Sequence, residues 1–403
     1  MKYKIHFSLF FAALILFNLA ANFAHPVTPT IIQELQLPDY MFGLMLAVMM
    51  VSQFLVSPFW GKINATITSR QTLLISCMGY AAAQLGFAFA KTQAMILLVR
   101  VLAGIFVGGA FVSFLTYVIN VARPEDQAKY LTYSATIQAV FSAFGYLIGG
   151  VLGEWSIRAV FLLQAGSLAA AGLLFRFACV PDGVPSGKMS MDQILRETNP
   201  LQAFFDGRYF MNTAFLLLFA LNILMNFGNT GFDQVFNYYL KDQLNLTSSY
   251  NGLIKAAVGL ISFVVNMTLC IWIIQRTDTR KSMVVMALFC TAAVVGTLVL
   301  PQIKPYIACS VLVYAGYSVS LPVLQHMVAE RADPEQKNLV MGFYNATKSL
   351  GSIIGSLVAG FLYGVHTKLP FLVMAVAYGA SFLTAAGYLL WSNRRIIQDE
   401  KTA

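Results

Sequence analysis

The sequence is poor in charged residues. Only 11% of its 403 residues are Asp, Glu, Lys or Arg, whereas a soluble globular domain contains about 25%. Hydrophobic residues make up 58% of the chain, and the mean hydropathy is +0.70. Apolar runs long enough to form membrane-crossing helices recur along the whole chain. The shortage of charge therefore excludes a soluble protein and predicts an integral membrane protein.

Cysteine and catalytic motifs are also scarce. The five cysteines lie in or at the ends of apolar runs and show no C-x-x-C or metal-ligand spacing. The sequence contains no H-E-x-x-H motif, phosphate-binding loop, paired-carboxylate motif or nucleophile–base motif. We therefore predict a protein that binds no cofactor or metal and is not an enzyme. ATP-driven transport is disfavoured for the same reason.

The apolar runs predict an all-α integral membrane protein with twelve transmembrane helices in two groups of six. The first group is predicted at 6–28, 41–60, 71–90, 94–117, 131–152 and 158–178. The second is predicted at 209–232, 249–272, 283–300, 307–327, 341–362 and 370–391. The polar stretch between them divides the chain into an N-terminal bundle (1–178), a linker (179–207) and a C-terminal bundle (208–403).

The distribution of Lys and Arg predicts the orientation of the chain. Most of the 26 Lys and Arg residues lie in the segments on the N-terminal side of the membrane. The segments on the other side contain only Lys91, Arg158, Lys241, Lys304 and Lys368. Because cytoplasmic loops are rich in Lys and Arg, we predict that both termini are cytoplasmic and that the chain is a multi-pass protein of the cell (inner) membrane. The net charge of +9 is then a topology signal and does not indicate a nucleic-acid partner.

The two predicted bundles resemble each other in sequence. Asn18, Asn22 and Phe23 of the first span match Asn222, Asn226 and Phe227 of the seventh, and further matches follow at an offset of 210: Arg70 with Arg280, Pro124 with Pro334, Glu125 with Glu335, Gly145 with Gly355, Gly150 with Gly360, and Phe161 with Phe371. Such a repeat predicts two pseudo-symmetric six-helix bundles, an architecture typical of one large class of secondary transporters.

Three sequence motifs lie within the predicted spans. Residues 100–104 (RVLAG) have the pattern R-x-x-x-G, and 145–150 (GYLIGG) have the pattern G-P-x-x-G-G with Tyr146 in place of the proline. Residues 351–360 (GSIIGSLVAG) are followed by His366 and Pro370. The first motif resembles one of the major facilitator superfamily, the second resembles the exporter motif of its drug:proton antiporter group of twelve-helix exporters, and the third is similar to the same region of quinolone-efflux proteins. The resemblance covers nearly the whole chain and implies proton-coupled efflux by alternating access.

The sequence also departs from this family in two places. The loop 61–70 (GKINATITSR) has Ala65 where the family usually has an aspartate that locks the outward-facing form. The membrane carboxylates that such exporters usually carry in the first, seventh or tenth span are almost absent. The resemblance therefore leaves open how the loop contributes to gating.

Polar residues inside the predicted spans are the candidate substrate-binding residues. A charge within a span costs about 2.5–3.5 kcal/mol on insertion scales, so each one requires an explanation. The candidates are Asn18, Asn22, Arg100, Gln138, Asn222, Asn226, Lys255 and Lys348. Several of them share a helix face through i, i+4 spacing, and we predict that they line a water-filled cavity. The alternatives are interhelical hydrogen bonds for the amides, snorkelling for Lys255, and bonding to backbone carbonyls of the first span for Arg100.

Three residues are candidates for proton coupling: His25, Arg100 and Asp233. Histidine titrates near neutral pH when it is exposed to a cavity, and the role of Arg100 is implied by the family resemblance. Asp233 is either a coupling residue or a loop residue at the end of the seventh span.

Two functions remain open on the sequence. The exporter-like spans favour proton-driven export of amphipathic compounds, whereas the cations within spans favour organic-anion exchange or proton symport, because a positive cavity attracts anions. A combined hypothesis, proton-coupled efflux of a small amphipathic, anionic or zwitterionic compound, satisfies both. The predicted partners are a small-molecule substrate, protons and the lipid bilayer. We expect the chain to act as a monomer.

Overall fold

The computed structural model describes residues 2–64, 66–182, 191–300, 302–333 and 335–402. Within these ranges all regular secondary structure is helical. The first half contains α1 (Lys2–Ala21), a 3₁₀ turn (His25–Val27), α2 (Thr28–Glu34), α3 (Met41–Asn64), α4 (Ser69–Ala88), α5 (Gln93–Val121), α6 (Pro124–Trp155) and α7 (Ile157–Ala178).

The second half contains two short helices followed by a second series of long ones. These are α8 (Met191–Glu197), α9 (Gln202–Asp206), a 3₁₀ turn (Gly207–Tyr209), α10 (Thr213–Asp242), α11 (Ser248–Val265), a π-helical turn (Asn266–Cys270), α12 (Ile271–Arg276), α13 (Thr279–Val299), α14 (Ile303–Arg331), α15 (Lys337–Val365) and α16 (Leu369–Thr402).

These helices confirm the predicted all-α membrane fold. Within the described ranges, 11 helical segments are long and apolar enough to cross a membrane. Two of them combine several helical elements: Phe7–Glu34, which is the first predicted span, and Ser248–Arg276, which is the eighth. The remaining predicted span, at 71–90, corresponds to α4, a helix of 20 residues whose Arg, Gln and Ser residues lower its hydropathy. Together they give the twelve predicted spans.

Two of the twelve spans are interrupted. In the first, Pro26 and Pro29 lack a backbone N–H, so the helix gives way to the 3₁₀ turn at His25–Val27 before continuing as α2. In the eighth, the π-helical turn at Asn266–Cys270 separates α11 from α12. Pro58 and Pro322, in contrast, lie inside α3 and α14 without ending them.

The described residues form two compact units. Unit 1 comprises Met1–Leu37, Val48–Pro200 and Leu240–Leu260, and unit 2 comprises Pro38–Ala47, Leu201–Tyr239 and Ile261–Ala403. Each unit thus includes a short segment from the other half of the sequence. The predicted division at 178 and 208 stays a prediction, and part of its linker, 183–190, lies outside the described residues.

Equivalent helices pack in the same way within the two units. In unit 1, α4 packs against both α5 and α7, and α1 packs against α6 and α7. In unit 2, α13 packs against both α14 and α16, and α10 contacts α15 where a Cβ on Gly351 would collide with Ile223 O. This equivalence agrees with the internal repeat in the sequence.

Each unit contains one segment from the other half of the sequence, Pro38–Ala47 in unit 2 and Leu240–Leu260 in unit 1. We call these the exchanged segments, and glycines allow their backbones to contact the backbone of a neighbouring helix closely. In unit 2, a Cβ on Gly43 would collide with the Ser356 carbonyl oxygen, and one on Gly360 would lie 2.7 Å from the Tyr40 carbonyl oxygen. Ser356 Oγ also donates a 2.8 Å hydrogen bond to Gly43 O. In unit 1, a Cβ on Gly252 would lie 2.6 Å from the Tyr146 carbonyl oxygen. Any side chain at these positions would push the helices apart.

Asp182 ties the chain that leaves α7 to the start of α4. Its buried carboxylate accepts hydrogen bonds from Ser69 N (2.7 Å), from the Ser69 hydroxyl and from Asn120 Nδ2 (3.2 Å). A carboxylate in this position is favourable because backbone N–H groups at a helix N-terminus lack partners and carry partial positive charge. The start of α4 therefore has an acidic partner although the preceding loop has Ala65 in place of aspartate; Ala65 itself lies outside the described residues.

Candidate functional site

Unit 1 contains a cavity of about 260 Å³ lined by residues of α1, α5 and α6. Asn18, Ser134 and Gln138 supply its polar lining, and Phe111 and Phe114 belong to its apolar lining. The structure thus brings together two of the predicted substrate residues, Asn18 and Gln138. Apolar and aromatic walls with a few polar groups are typical of small-molecule sites.

The two asparagines of α1 are hydrogen-bonded to their own helix. Asn18 Nδ2 donates to Leu14 O at 2.8 Å, and Asn22 Nδ2 donates to Asn18 O at 2.9 Å. Among the described residues, none donates a hydrogen bond to the side-chain oxygen of Asn18 or Asn22. Asn18 Oδ1 is therefore available to accept a hydrogen bond from a ligand in the cavity.

Tyr146 brings His25 and Lys255 together in unit 1. The imidazole of His25 stacks on the Tyr146 ring, with 5.3 Å between ring centroids and 11° between planes. Lys255 Nζ lies 5.8 Å from the centroid of the same ring, and the lysine is buried. An aromatic ring attracts a cation to its face, so the residue that replaces the exporter proline is a contact for two predicted site residues.

Arg100 is a buried cation in an apolar wall. Its guanidinium lies 4.5 Å from the centroid of the Phe87 ring, and Nη1 lies 3.9 Å from Met49 Sδ. Arg100 Nε is buried without a hydrogen-bond partner, and no carboxylate in the described part of the chain pairs with this arginine. The alternative role of binding backbone carbonyls of the first span is therefore not observed.

The asparagines of α10 belong to a hydrogen-bond network within unit 2. Asn222 Nδ2 donates to Tyr344 O (2.8 Å) and Thr347 Oγ1 (3.0 Å) on α15. Asn226 Nδ2 donates to Asn222 Oδ1 (2.9 Å), and Asn226 Oδ1 accepts a 2.7 Å hydrogen bond from the Tyr317 hydroxyl on α14. Both asparagines are fully buried. In this structure they act as interhelical bonds, and their contact with substrate stays a prediction.

Asp233 lies in the interior of α10. The sequence-based alternative, a loop residue at the end of the seventh span, is wrong because α10 continues to Asp242. The carboxylate accepts a 3.0 Å hydrogen bond from the Tyr314 hydroxyl and a 3.4 Å hydrogen bond from Gln234 Nε2. Asp233 is therefore a half-buried acid held against α14.

Lys348 lies in the interior of α15 and is half-buried. Within the described ranges it makes no ion pair or hydrogen bond through its side chain. Its contact with substrate stays a prediction.

Several partners of the candidate residues were not expected from the sequence. Tyr314 and Tyr317, one turn apart on α14, contact the acid and the amide of α10, and Phe111 and Phe114 line the cavity of unit 1. A tyrosine inside an apolar span is a usable signal, because a buried hydroxyl requires a hydrogen-bond partner.

The candidates are distributed over both units. Unit 1 contains Asn18, Asn22, His25, Arg100, Gln138 and Lys255, and unit 2 contains Asn222, Asn226, Asp233 and Lys348. That they line one common cavity stays a prediction. Within the described ranges, no group of His, Cys, Asp and Glu side chains could hold a metal ion.

Known proteins resemble the chain over nearly its full length. Multidrug resistance protein 1 of Bacillus subtilis is 23% identical over 354 residues, which cover 86% of each chain. Quinolone resistance protein NorA of Staphylococcus aureus is 22% identical over 368 residues, covering 90% of this chain and 91% of NorA. The crystal structure of the human organic anion transporter MFSD10 superposes with a TM-score of 0.68 and 18% identity, covering 95% of this chain and 99% of MFSD10.

The family match is equally extensive. The sequence model of the Major Facilitator Superfamily matches residues 9–316 and 305–401. Members of this family are transporters rather than enzymes, which confirms the prediction made from the missing catalytic motifs. The family, the repeated bundles and the apolar helices agree, and we conclude that the chain is a multi-pass membrane transporter that belongs to the Major Facilitator Superfamily.

Proposed function

We propose that the protein exports a small amphipathic, anionic or zwitterionic compound in exchange for protons by alternating access. The observation that carries this proposal is the pair of cations Arg100 and Lys348. Both lie inside transmembrane helices, and neither pairs with a carboxylate in the described part of the chain.

The cost of these cations supports a role in binding. A charge in a membrane span is expensive and is usually compensated by a partner. A negatively charged substrate would supply that partner during transport. A cation inside a span also repels other cations, so we expect selection against the cationic compounds that acidic pockets bind.

The related proteins also support export of an amphipathic or anionic substrate. The Bacillus and Staphylococcus relatives are a multidrug and a quinolone resistance protein, which favours export of amphipathic compounds. The human MFSD10 is an organic anion transporter, which agrees with an anionic substrate. In unit 1, the cavity beside Asn18 and Gln138 combines aromatic and amide groups, as an amphipathic ligand requires.

Asp233 is the carboxylate that we assign to proton coupling. It is half-buried in α10 and its hydrogen bond from Tyr314 holds it at one position. A carboxylate inside a span can accept a proton in one state and release it in another, as the proton relays of pumps and transporters do. His25 and Arg100 remain second candidates.

We extend the proposal to topology and assembly. The excess of Lys and Arg on one side supports cytoplasmic termini in the cell membrane, and a major facilitator chain with two bundles needs no second copy to form a transport pathway. We propose a monomer.

Transport in proteoliposomes tests the substrate class. Lys348→Met should abolish uptake of a labelled amphipathic anion, whereas Lys348→Arg should retain part of it and Lys368→Met, in an exposed loop position, should retain all of it. Unchanged anion transport by Lys348→Met would contradict the proposal. A cationic dye, assayed in parallel, should be a poor substrate.

The same vesicles test the coupling ion. A pH gradient should accelerate anion transport by the wild-type protein, and Asp233→Asn should remove this acceleration while retaining substrate exchange without a gradient. Asp192→Asn, in an exposed ion pair with Arg196, is the matched control. If the wild-type protein exchanges anions at a rate that does not depend on the pH gradient, the alternative function of an organic-anion exchanger is favoured. Net uptake of the anion together with protons would favour a symporter.

A further inference from the structure

Two glutamines inside apolar helices of unit 1 have no part in the substrate and coupling proposals. Gln84 on α4 and Gln164 on α7 are each 1% exposed. Leaving a buried amide group unpaired is unfavourable, so each donor and acceptor in such a position is expected to have a partner. The side-chain oxygens, Gln84 Oε1 and Gln164 Oε1, have no hydrogen-bond partner among the described residues. Unit 1 therefore contains two buried acceptors that require a donor.

The nitrogen of each amide fixes its orientation. Gln164 Nε2 donates a 3.2 Å hydrogen bond to Ala21 O, in the last turn of α1. A hydrogen bond also joins the Gln84 side chain to the Tyr80 hydroxyl, one turn away on α4. Since Gln84 Oε1 has no partner within the described ranges, Nε2 is the atom that makes this bond. Turning the Gln164 amide over would place its oxygen against a carbonyl oxygen, because an amide oxygen only accepts.

The packing of α4 on α7 places the two glutamines opposite each other. Phe87 on α4 stacks on Phe161 on α7, with 4.7 Å between ring centroids. Further along, a Cβ on Gly172 of α7 would lie 2.8 Å from Cys77 Cβ of α4. The residue numbers fall along α4 as they rise along α7, so the helices are antiparallel here. Each glutamine lies between these two contacts, about one turn from the stacked phenylalanine of its own helix.

Arg100 reaches the same part of unit 1 from α5. Its guanidinium lies 4.5 Å from the centroid of the Phe87 ring, and it is within electrostatic range of the Tyr80 hydroxyl, the partner of Gln84. The side chain is 6% exposed, and Nε has no hydrogen-bond partner in the described part of the chain. One buried donor thus accompanies the two buried acceptors.

We propose that Arg100, Gln84 and Gln164 bind a buried water molecule between α4, α5 and α7. The water accepts a hydrogen bond from Arg100 Nε and donates one to each of the two Oε1 atoms, so a single molecule pairs all three. Buried waters typically make about three hydrogen bonds, to groups that otherwise lack partners. An anion in this position would also accept from Arg100, but it would be repelled by the two amide oxygens.

The water affects the free energy of burying Arg100. A buried guanidinium without a partner opposes folding, and the hydrogen bonds through the water reduce this cost without neutralising the positive charge. Gln84 and Gln164 are therefore positioning residues, which act on Arg100 through the water. The inference holds whether or not Arg100 contacts a substrate, because it rests on contacts within unit 1 alone.

Hydroxyl-radical footprinting of the purified full chain tests for the water. A short X-ray pulse forms radicals from water where it is bound, the radicals label the side chains beside it, and mass spectrometry measures the labels. We expect labelling of the buried Tyr80 and Met49, which lie beside Arg100. Tyr117 is the internal reference, because it is also buried and its hydroxyl accepts a hydrogen bond from Val180 N. Labelling of Tyr80 and Met49 no stronger than that of Tyr117 would overturn the proposal.

Removal of the two acceptors tests where the water is bound. The double variant Gln84→Met, Gln164→Met keeps the length of both side chains without their oxygens, so the labelling at Tyr80 and Met49 should fall to the reference level. Gln33→Met, at an exposed glutamine of α2 in the same unit, is the matched control and should be labelled like the wild type.

Two results with these variants contradict a bound water. Unchanged labelling in a folded double variant would show that bulk water reaches the labelled side chains, and an equal loss of labelling in Gln33→Met would show that the loss is not specific to the site. If the double variant does not fold, the single variants replace it, and wild-type labelling in both Gln84→Met and Gln164→Met overturns the proposal.

Discussion

The Tyr238 hydroxyl of α10 donates a 2.6 Å hydrogen bond to Asp39 Oδ1, in the segment that unit 2 takes from the first half of the sequence. The Tyr238 ring also stacks on Phe42, with 4.8 Å between centroids. One residue thus holds the exchanged segment by both a charged hydrogen bond and an aromatic contact.

Tyr238→Phe should loosen the segment 38–47 while retaining the aromatic contact. A hydrogen bond to a charged group contributes about 1.5–3 kcal/mol, and we expect a loss of this size in the local opening free energy. Hydrogen exchange of the segment's amides measures it. Tyr250→Phe, which removes the hydroxyl of an exposed tyrosine, should leave these exchange rates unchanged; equal protection in Tyr238→Phe would show that the hydrogen bond does not hold the segment.

Gly43→Ala should destabilise the protein, whereas Gly364→Ala should not. At Gly43 a methyl group collides with the backbone of α15, whereas at Gly364 nothing lies within 4 Å of it. We expect the first substitution to destabilise the protein by about 1–3 kcal/mol through overpacking and the second to be neutral or stabilising by up to about 1 kcal/mol through helix propensity. Thermal unfolding in detergent measures the change in stability of each variant. A Gly43→Ala protein as stable as the wild type would refute the backbone contact.

Arg100→Gln should reduce transport without reducing stability. The wild-type guanidinium is buried against Phe87 and Met49 with no carboxylate partner, and an unpaired buried charge opposes folding. Its removal should therefore raise the melting temperature or leave it unchanged, as is common for residues kept for function. Arg158→Gln, where an exposed guanidinium lies 5.6 Å from the Phe89 centroid, is the control. A large drop in the melting temperature of Arg100→Gln would identify a structural residue instead.

The spans were predictable because hydropathy reports burial in lipid, but their ends were less so. The seventh span was predicted to end at 232, yet α10 continues to Asp242, because Asp233, Gln234 and Asn237 end the apolar run without ending the helix. Hydropathy measures the solvent around a helix, whereas the helix itself ends where its backbone hydrogen bonds end.

The sequence could predict those features of the site that depend on residues of a single helix. The i, i+4 spacing places Asn222 and Asn226 on one face, and the structure shows them bonded to each other. Their partners Tyr317 and Tyr344 are about a hundred positions away in the sequence, and no periodicity links them. Polar helix faces could therefore be predicted from the sequence, but not which of them contact other helices and which contact substrate.

The bond between Asp182 and the first turn of α4 has a mechanical consequence. Asp182 lies near the start of the linker between the two halves (179–207), so its hydrogen bonds attach that linker to Ser69 and Asn120. The linker is therefore anchored at the loop between the second and third spans as well as at the end of α7.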